Sequence, residues 1–211
     1  MDINLILENK LISIVRGLSG ETLINTAKAI YDGGIRLLEV TFDQSGAIDN
    51  KTTAEDISSL VSLFGDKMAI GAGTVLTEEQ ATIAHSAGAQ FIISPDTNEE
   101  VIKLTKKLGM ISIPGALTPT EVRTAHDFGA DFVKIFPCVS LGADYIKAVR
   151  APLSHIKLLA VGGVTPDNME TFAAAGACGF GIATAIADVS AAKRGDFEKI
   201  KENALRFTER I

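Results

Sequence analysis

The chain has 211 residues, of which 46% are hydrophobic and 22% charged, a size that fits one large domain over residues 1–211 with a substantial core. With no tryptophan and only 6% aromatic residues, that core must be filled by Ile, Leu, Val and Ala. A net charge of -6 and a pI near 5.1 argue against sequence-independent nucleic-acid binding, which needs a basic surface.

Strand-like and helix-like segments alternate along the whole chain. Short runs rich in β-branched residues read as strands buried on both faces, and longer amphipathic segments read as helices. Leu11–Val15 is followed by a helix over Glu21–Asp32, and Leu37–Thr41 by Thr53–Phe64. Ala69–Thr74 leads to Glu78–Ala87, Phe91–Pro95 to Glu99–Leu108, and Ile111–Pro114 to Thr120–Phe128. Phe132–Pro137 precedes Ala143–Arg150, and Lys157–Gly162 precedes Pro166–Ala175. Gly179–Ala183 is the last strand, and Phe197–Glu209 closes the chain. Thr77, Thr118 and Thr165 are N-cap candidates, with Pro119 and Pro166 at the first helical position behind two of them. Gly34, Gly65, Gly88, Gly109, Gly129 and Gly176 stand where helices stop.

Eight such units without a linker predict an α/β fold, a parallel (β/α)₈ TIM barrel in a single domain. A doubly wound open sheet is the runner-up. Against it, the first strand turns through Val15-Arg16-Gly17-Leu18-Ser19-Gly20, which is not a dinucleotide fingerprint. The start, Met1-Asp2-Ile3-Asn4, is acidic, unlike a signal peptide. The weakly polar stretch Phe172–Ala187 is Gly-rich and shorter than the roughly 20 residues of a membrane span, so no membrane partner is expected. Cys138 and Cys178 make no disulfide framework and point to a reducing, cytoplasmic setting.

In such a barrel the chemistry collects at the C-terminal strand ends. Those ends are Arg16, Glu39 with Thr41, Thr74, Pro95, Pro114-Gly115, Lys134, Gly162-Gly163 and Thr184. One carboxylate, one lysine, one arginine and several small hydroxyls would converge on one small-molecule site. Lys134, inside Asp131-Phe132-Val133-Lys134-Ile135-Phe136-Pro137, is the sharpest candidate. Burial disfavours the charged amine, and a neutral amine is the nucleophile that a Schiff base with a carbonyl substrate requires. The competing reading is a lysine whose stem is buried while its head reaches solvent at the barrel end. Glu39 reads as a general base, or as a strand-end acid paired with a cation. Gly162-Gly163, followed by Thr165-Pro166, reads as a backbone phosphate cup at the head of a helix, completed by the end of the eighth strand at Thr184. Gly71 and Gly73 relieve crowding inside the barrel and leave Thr74 as the polar contact. The three histidines, His85, His126 and His155, lie far apart in sequence with no ligand spacing, so no metal and no cofactor is expected.

The ordered set Leu38-Glu39-Val40-Thr41, GAGTV at Gly71–Val75, ISP at Ile93–Pro95, IPG at Ile113–Gly115, KIFP at Lys134–Pro137 and GGV at Gly162–Val164 resembles the 2-keto-3-deoxy-6-phosphogluconate and 4-hydroxy-2-oxoglutarate aldolases. These are class I, metal-free enzymes, and the match runs over nearly the whole chain. The resemblance implies a homotrimer acting on a small 2-keto acid, releasing pyruvate with glyceraldehyde 3-phosphate, or with glyoxylate from the unphosphorylated substrate. It implies that Lys134 is the Schiff-base lysine, Glu39 the proton-transfer residue and Thr74 a contact of the pyruvyl carboxylate. Arg16, Thr41 and Pro95 are substrate-binding candidates beside it, and Gly162, Gly163 and Thr184 match the phosphate cup. Two positions depart from the pattern. Asp43 stands where many phosphogluconate members carry a carboxylate-binding arginine and is expected to repel substrate, and Val161 stands where many have Thr. Arg16 at the end of the first strand is the expected replacement cation. Arg16-Gly17 and Ala160–Pro166 look closer to the 2-keto-3-deoxy-6-phosphogalactonate branch, so that substrate stays open. A phosphate-binding barrel of another class, such as a sugar-phosphate isomerase, is the alternative reading.

Overall fold

The computed structural model describes residues 2–211, and Met1 lies outside them. The strands are β1 (Leu11–Val15), β2 (Leu37–Thr41), β3 (Ala69–Gly73), β4 (Phe91–Ile93), β5 (Ile111–Ile113), β6 (Gly115–Ala116), β7 (Val133–Ile135), β8 (Leu158–Val161) and β9 (Gly179–Ile182). They form one sheet in the order β5-β4-β3-β2-β1-β9-β8-β7-β6, with every pairing parallel. The two ends of that order, β5 and β6, are separated only by Pro114, so the sheet closes into a barrel. The expected fifth strand is therefore split. Proline brings no N–H to the ladder, but its carbonyl still accepts from Lys134 N at 2.9 Å. At the bend Gly115 runs so close to Pro95 that a Cβ would sit 2.3 Å from the Pro95 carbonyl oxygen.

The helices are α1 (Asn4–Asn9), α2 (Gly20–Asp32), α3 (Asn50–Phe64), α4 (Glu78–Ser86), α5 (Glu99–Lys107), α6 (Pro119–Asp127), α7 (Gly142–Arg150), α8 (Met169–Ala174), α9 (Val189–Lys193) and α10 (Phe197–Thr208). Thr77 caps α4 by accepting from Gln80 N, and Thr118 forms a capping box with Glu121 at α6, with Pro119 at the first helical position. The expected cap at Thr165 is displaced. α8 begins only at Met169, behind Asn168, and Thr165 and Asn168 bond reciprocally, Thr165 N to Asn168 Oδ1 at 2.8 Å and Asn168 N to Thr165 Oγ1 at 3.3 Å. Pro166 thus lies in a turn rather than at a helix start. All six glycines expected at helix ends hold positive φ.

Period-two alternation separates two cores. Ile12, Ile14, Leu37, Phe91, Ile93, Phe132 and Leu159 point into the barrel, while Leu11, Val15, Leu38, Val40, Val133 and Leu158 face the helices. Ile6 of α1 joins the inner set and is fully buried, so α1 plugs the N-terminal end. Neither α1 nor the short α9 was expected. α1 has no side-chain cap to announce it. No helix among the described residues is long and apolar enough to cross a membrane.

Candidate active site

At the C-terminal end of the strands lies a cavity of about 430 Å³. Its polar wall comprises Arg16, Glu39, Thr74, Lys134, Thr165 and Thr184, and Pro95, Gly162 and Gly163 also line it. These include all but one of the expected site residues. The exception is Thr41, which is buried at the end of β2 and does not line the wall. The residues missed by sequence reading include Phe136, whose ring centroid is 4.6 Å from Lys134 Nζ. Its place two residues after Lys134, on the same side of the chain, was the available signal.

Lys134 is 7% exposed and Glu39 is 1% exposed. Burial pushes the Lys134 ammonium below the ordinary lysine range; Glu39 pulls it back and Arg16 repels it further. Burial raises the Glu39 carboxyl, against the opposing pull of Lys134 and Arg16. Both groups are thus driven toward their neutral forms by the same desolvation. Such a pair can supply a nucleophilic amine and a carboxyl able to exchange a proton beside it. Room for that carboxyl comes from Gly73: a Cβ there would lie 1.6 Å from Glu39 Oε1. Gly71 likewise admits the Phe91 ring, which a Cβ would meet at 2.3 Å.

Arg16 is exposed at the rim, and its Nη2 donates to Thr74 Oγ1 at 3.1 Å. Thr74 holds φ at 55°, and its carbonyl accepts from Gln44 Nε2 at 3.2 Å. Arg16 and Thr74 therefore form one polar unit across the ends of β1 and β3. Asp43 corrects the expectation of repulsion. Its carboxylate accepts from Ser45 N at 3.0 Å, from Ile48 N at 2.9 Å and from the Ser45 hydroxyl at 2.8 Å, which folds the loop after β2. Those bonds hold it at a pKa of about 2, and it does not line the cavity.

The glycine cup is built differently from the expected loop-and-helix arrangement. Gly162 and Gly163 have φ of 93° and 83°, and a Cβ on Gly163 would lie 2.4 Å from Val139. Their carbonyls are engaged elsewhere, Gly162 O by Val139 N at 3.1 Å and Gly163 O by Asn168 Nδ2 at 3.0 Å. What the pair can offer an anion is therefore N–H groups. The helix adds little, because α8 is only six residues long and Asn168 already takes the Thr165 N–H.

His126 and His155, distant in sequence, meet edge to face with ring centroids 5.1 Å apart, while His85 lies in α4. Among the described residues no group of three or more His, Cys, Asp or Glu is placed to hold a metal ion.

Residues 3–203 match the family model for KDPG and KHG aldolase. The 2-dehydro-3-deoxy-6-phosphogalactonate aldolase of Escherichia coli (strain K12) is 38% identical over 173 residues, 82% of this chain and 82% of the relative. A solved structure described as native KDPGal superposes with a TM-score of 0.84 at 34% identity, covering 95% of this chain and 93% of the other. KDPG aldolase from Legionella pneumophila, solved with pyruvate captured as a covalent carbinolamine, gives a TM-score of 0.84 at 26% identity, covering 95% of each chain.

Proposed function

The chain belongs to the KDPG and KHG aldolase family, and from that premise we propose that it cleaves a 2-keto-3-deoxy-6-phospho sugar acid to pyruvate and glyceraldehyde 3-phosphate through a Schiff base on Lys134. As a family member it is an aldolase and therefore a carbon–carbon lyase. The observation that carries the Schiff-base reading is the burial of Lys134 beside Glu39 in the cavity at the strand ends. The pyruvate carbinolamine in the Legionella relative supports it.

Neutral Lys134 attacks the C2 ketone, giving a carbinolamine that loses water to an iminium. Glu39 accepts the C4 hydroxyl proton. The C3–C4 electron pair moves into the C2–C3 bond, and the iminium nitrogen takes the displaced pair. The aldehyde leaves, and the enamine regains a proton at C3. Hydrolysis then frees pyruvate and Lys134. Arg16 with Thr74 binds the carboxylate, Pro95 shapes the wall, and the N–H groups of Gly162 and Gly163, with Thr184, bind the phosphate. The iminium is the electron sink, so the residues need neither metal nor cofactor for this chemistry. 4-Hydroxy-2-oxoglutarate fits the same scheme and gives pyruvate and glyoxylate. Family resemblance supports a homotrimer, and the free thiols of Cys138 and Cys178 support a reducing, cytoplasmic setting.

Pyruvate release should be measured with gluconate-derived, galactonate-derived and unphosphorylated substrates, with and without prolonged chelation. At least one phosphorylated acid should exceed the unphosphorylated one in kcat/KM by about tenfold or more, through the cup's contribution to binding. Activity should survive the chelator. Absence of pyruvate from every substrate, or activity lost to chelation and restored by a divalent ion, contradicts the proposal.

A further inference from the structure

Among the described residues two that are not glycine hold a positive φ, Lys10 at 59° and Thr74 at 55°. Lys10 has an ordinary reason, since it closes the C-terminal end of α1 in the left-handed conformation of a helix cap. Thr74 has no such reason. It follows the last residue of β3, ahead of α4, and its branched Cβ makes the left-handed region costly. Strain of this kind persists only where the surroundings over-determine it, and it gathers at functional sites.

Thr74 is held at two points. At its side chain, Arg16 Nη2 donates to Oγ1 at 3.1 Å. At its backbone, Gln44 Nε2 donates to the carbonyl at 3.2 Å, and Gln44 is the one partner of that carbonyl among the described residues. A carbonyl only accepts, so the Gln44 amide presents its NH₂ group. The chain on either side is pinned. Gly73 O accepts from Phe42 N at 2.8 Å, Val75 N donates to Ile93 O at 3.3 Å, and Val75 O accepts from Ser94 Oγ at 2.7 Å. Gln44 itself is exposed and does not line the cavity, whereas Thr74 does. The place of Gln44 is set in turn by Asp43, whose carboxylate closes the loop onto Ser45 N and Ile48 N around Gly46 at φ 81°.

We propose that Gln44 is a positioning residue for the substrate carboxylate: by holding the Thr74 carbonyl it keeps Thr74 in the left-handed conformation that sets its hydroxyl beside Arg16. The inference rests on the reading above that Arg16 with Thr74 binds the carboxylate, and it adds a residue outside the cavity wall. Thr74 Oγ1 accepts from Arg16, which leaves the hydroxyl hydrogen free to donate to a carboxylate oxygen. Without the Gln44 amide, Thr74 relaxes toward the extended backbone that a β-branched residue prefers, and its hydroxyl leaves Arg16. The division of labour is clear: Arg16 brings charge, and the neutral Gln44 amide brings geometry. Asp43 serves one step further back, as the carboxylate that folds the loop carrying Gln44.

Pyruvate isolates this end of the substrate, because beyond its ketone and methyl group it carries only the carboxylate. The readout is the half-saturation of the initial rate of borohydride trapping with pyruvate, set beside KM and kcat for cleavage. Gln44→Ala should raise the pyruvate half-saturation about three- to tenfold, the scale of one neutral hydrogen bond. KM for phosphorylated and unphosphorylated acids should rise by the same factor, with kcat within about twofold of wild type, as for uniform binding lost. Thr74→Gly should also weaken pyruvate, and adding Gln44→Ala to it should cost nothing more. Glycine holds a positive φ without strain and has no hydroxyl to aim, so the two losses share one cause. Wild-type half-saturation in Gln44→Ala overturns the proposal. So does a loss that adds in full to that of Thr74→Gly, or one seen only with the longer substrates, since either means that Gln44 acts other than through Thr74. Wild-type half-saturation in Thr74→Gly removes the carboxylate reading and this inference with it, whereas a weakened Thr74→Gly beside an unchanged Gln44→Ala removes Gln44 alone.

Discussion

The two ends of the barrel are made from the same strands and differ completely in chemistry. Along β1 the inward positions run Ile12, Ile14 and then Arg16 beyond its end; along β2 they run Leu37, Glu39, Thr41; around β7, Phe132, Lys134, Phe136. The N-terminal end is sealed, with Ile6 of α1 fully buried in the same inner cluster as Ile12, Leu37 and Phe132. The C-terminal end carries two buried ionisable groups and unpaired polar oxygens. Apolar burial at one end stabilises the fold, and the other end carries ionisable groups whose desolvation weakens it. Two residues of chain, one step of the strand period, separate these regimes.

The comparison can be broken at either end. The largest expected effect on stability is at the sealed end. Ile6→Ala removes a fully buried side chain from the plug and should lower unfolding free energy by about 2–5 kcal/mol in denaturant titrations. Its kcat should stay close to wild type under conditions where the chain is folded. A comparable fall in kcat would show that the ends are not separable. Gly73→Ala should do the reverse. Its Cβ would fall 1.6 Å from Glu39 Oε1, so the carboxyl must move, and misplacement on that scale costs about 100-fold in kcat. Stability should fall by only about 1–3 kcal/mol, as for a local overpacking. Wild-type kcat in this variant would dissociate the carboxyl's position from turnover.

The smallest expected effect is at the exposed rim. Arg16→Ala removes the donor to Thr74 and a cation that repels Lys134 and attracts Glu39. kcat/KM for the phosphorylated acid should fall about tenfold, moderate because the guanidinium is exposed and screened. The pH profile gives the sharper sign. Without Arg16, repulsion no longer holds the Lys134 pKa down, so the neutral amine appears at higher pH. The rising acid limb of kcat/KM should move to higher pH, and Arg16→Lys should hold it near wild type. A limb that stays in place or moves toward acid would remove Arg16 from the field acting on Lys134.

Much of this was legible in the sequence because it depends on local rules. Short runs rich in β-branched residues marked every strand but β6, and Thr118 with Pro119 announced the start of α6. Lys134 stood out because a lysine amid β-branched and aromatic residues pays a desolvation cost that packing alone never requires. What escaped depends on tertiary placement. Pro114 splits the fifth strand only because the barrel must close there. Asp43 reads as an obstacle to substrate until the loop after β2 is folded around it. The meeting of His126 and His155 joins segments with no shared pattern. Thr41 looked like wall from its place at a strand end, and only the folded barrel shows it buried and off the cavity lining.

The central claim is that the buried amine of Lys134 forms the covalent link to substrate, and borohydride reduction in the presence of pyruvate tests it directly. Intact-mass and peptide analysis of the wild type should show one reduced pyruvate adduct per chain on the peptide carrying Lys134. Lys134→Ala should show none and lose at least about 10³-fold in cleavage, as expected when the nucleophile is removed, while its denaturation midpoint stays at or above that of wild type because a desolvated amine has gone. An adduct on another lysine, or no adduct in a wild type that cleaves substrate, contradicts the account.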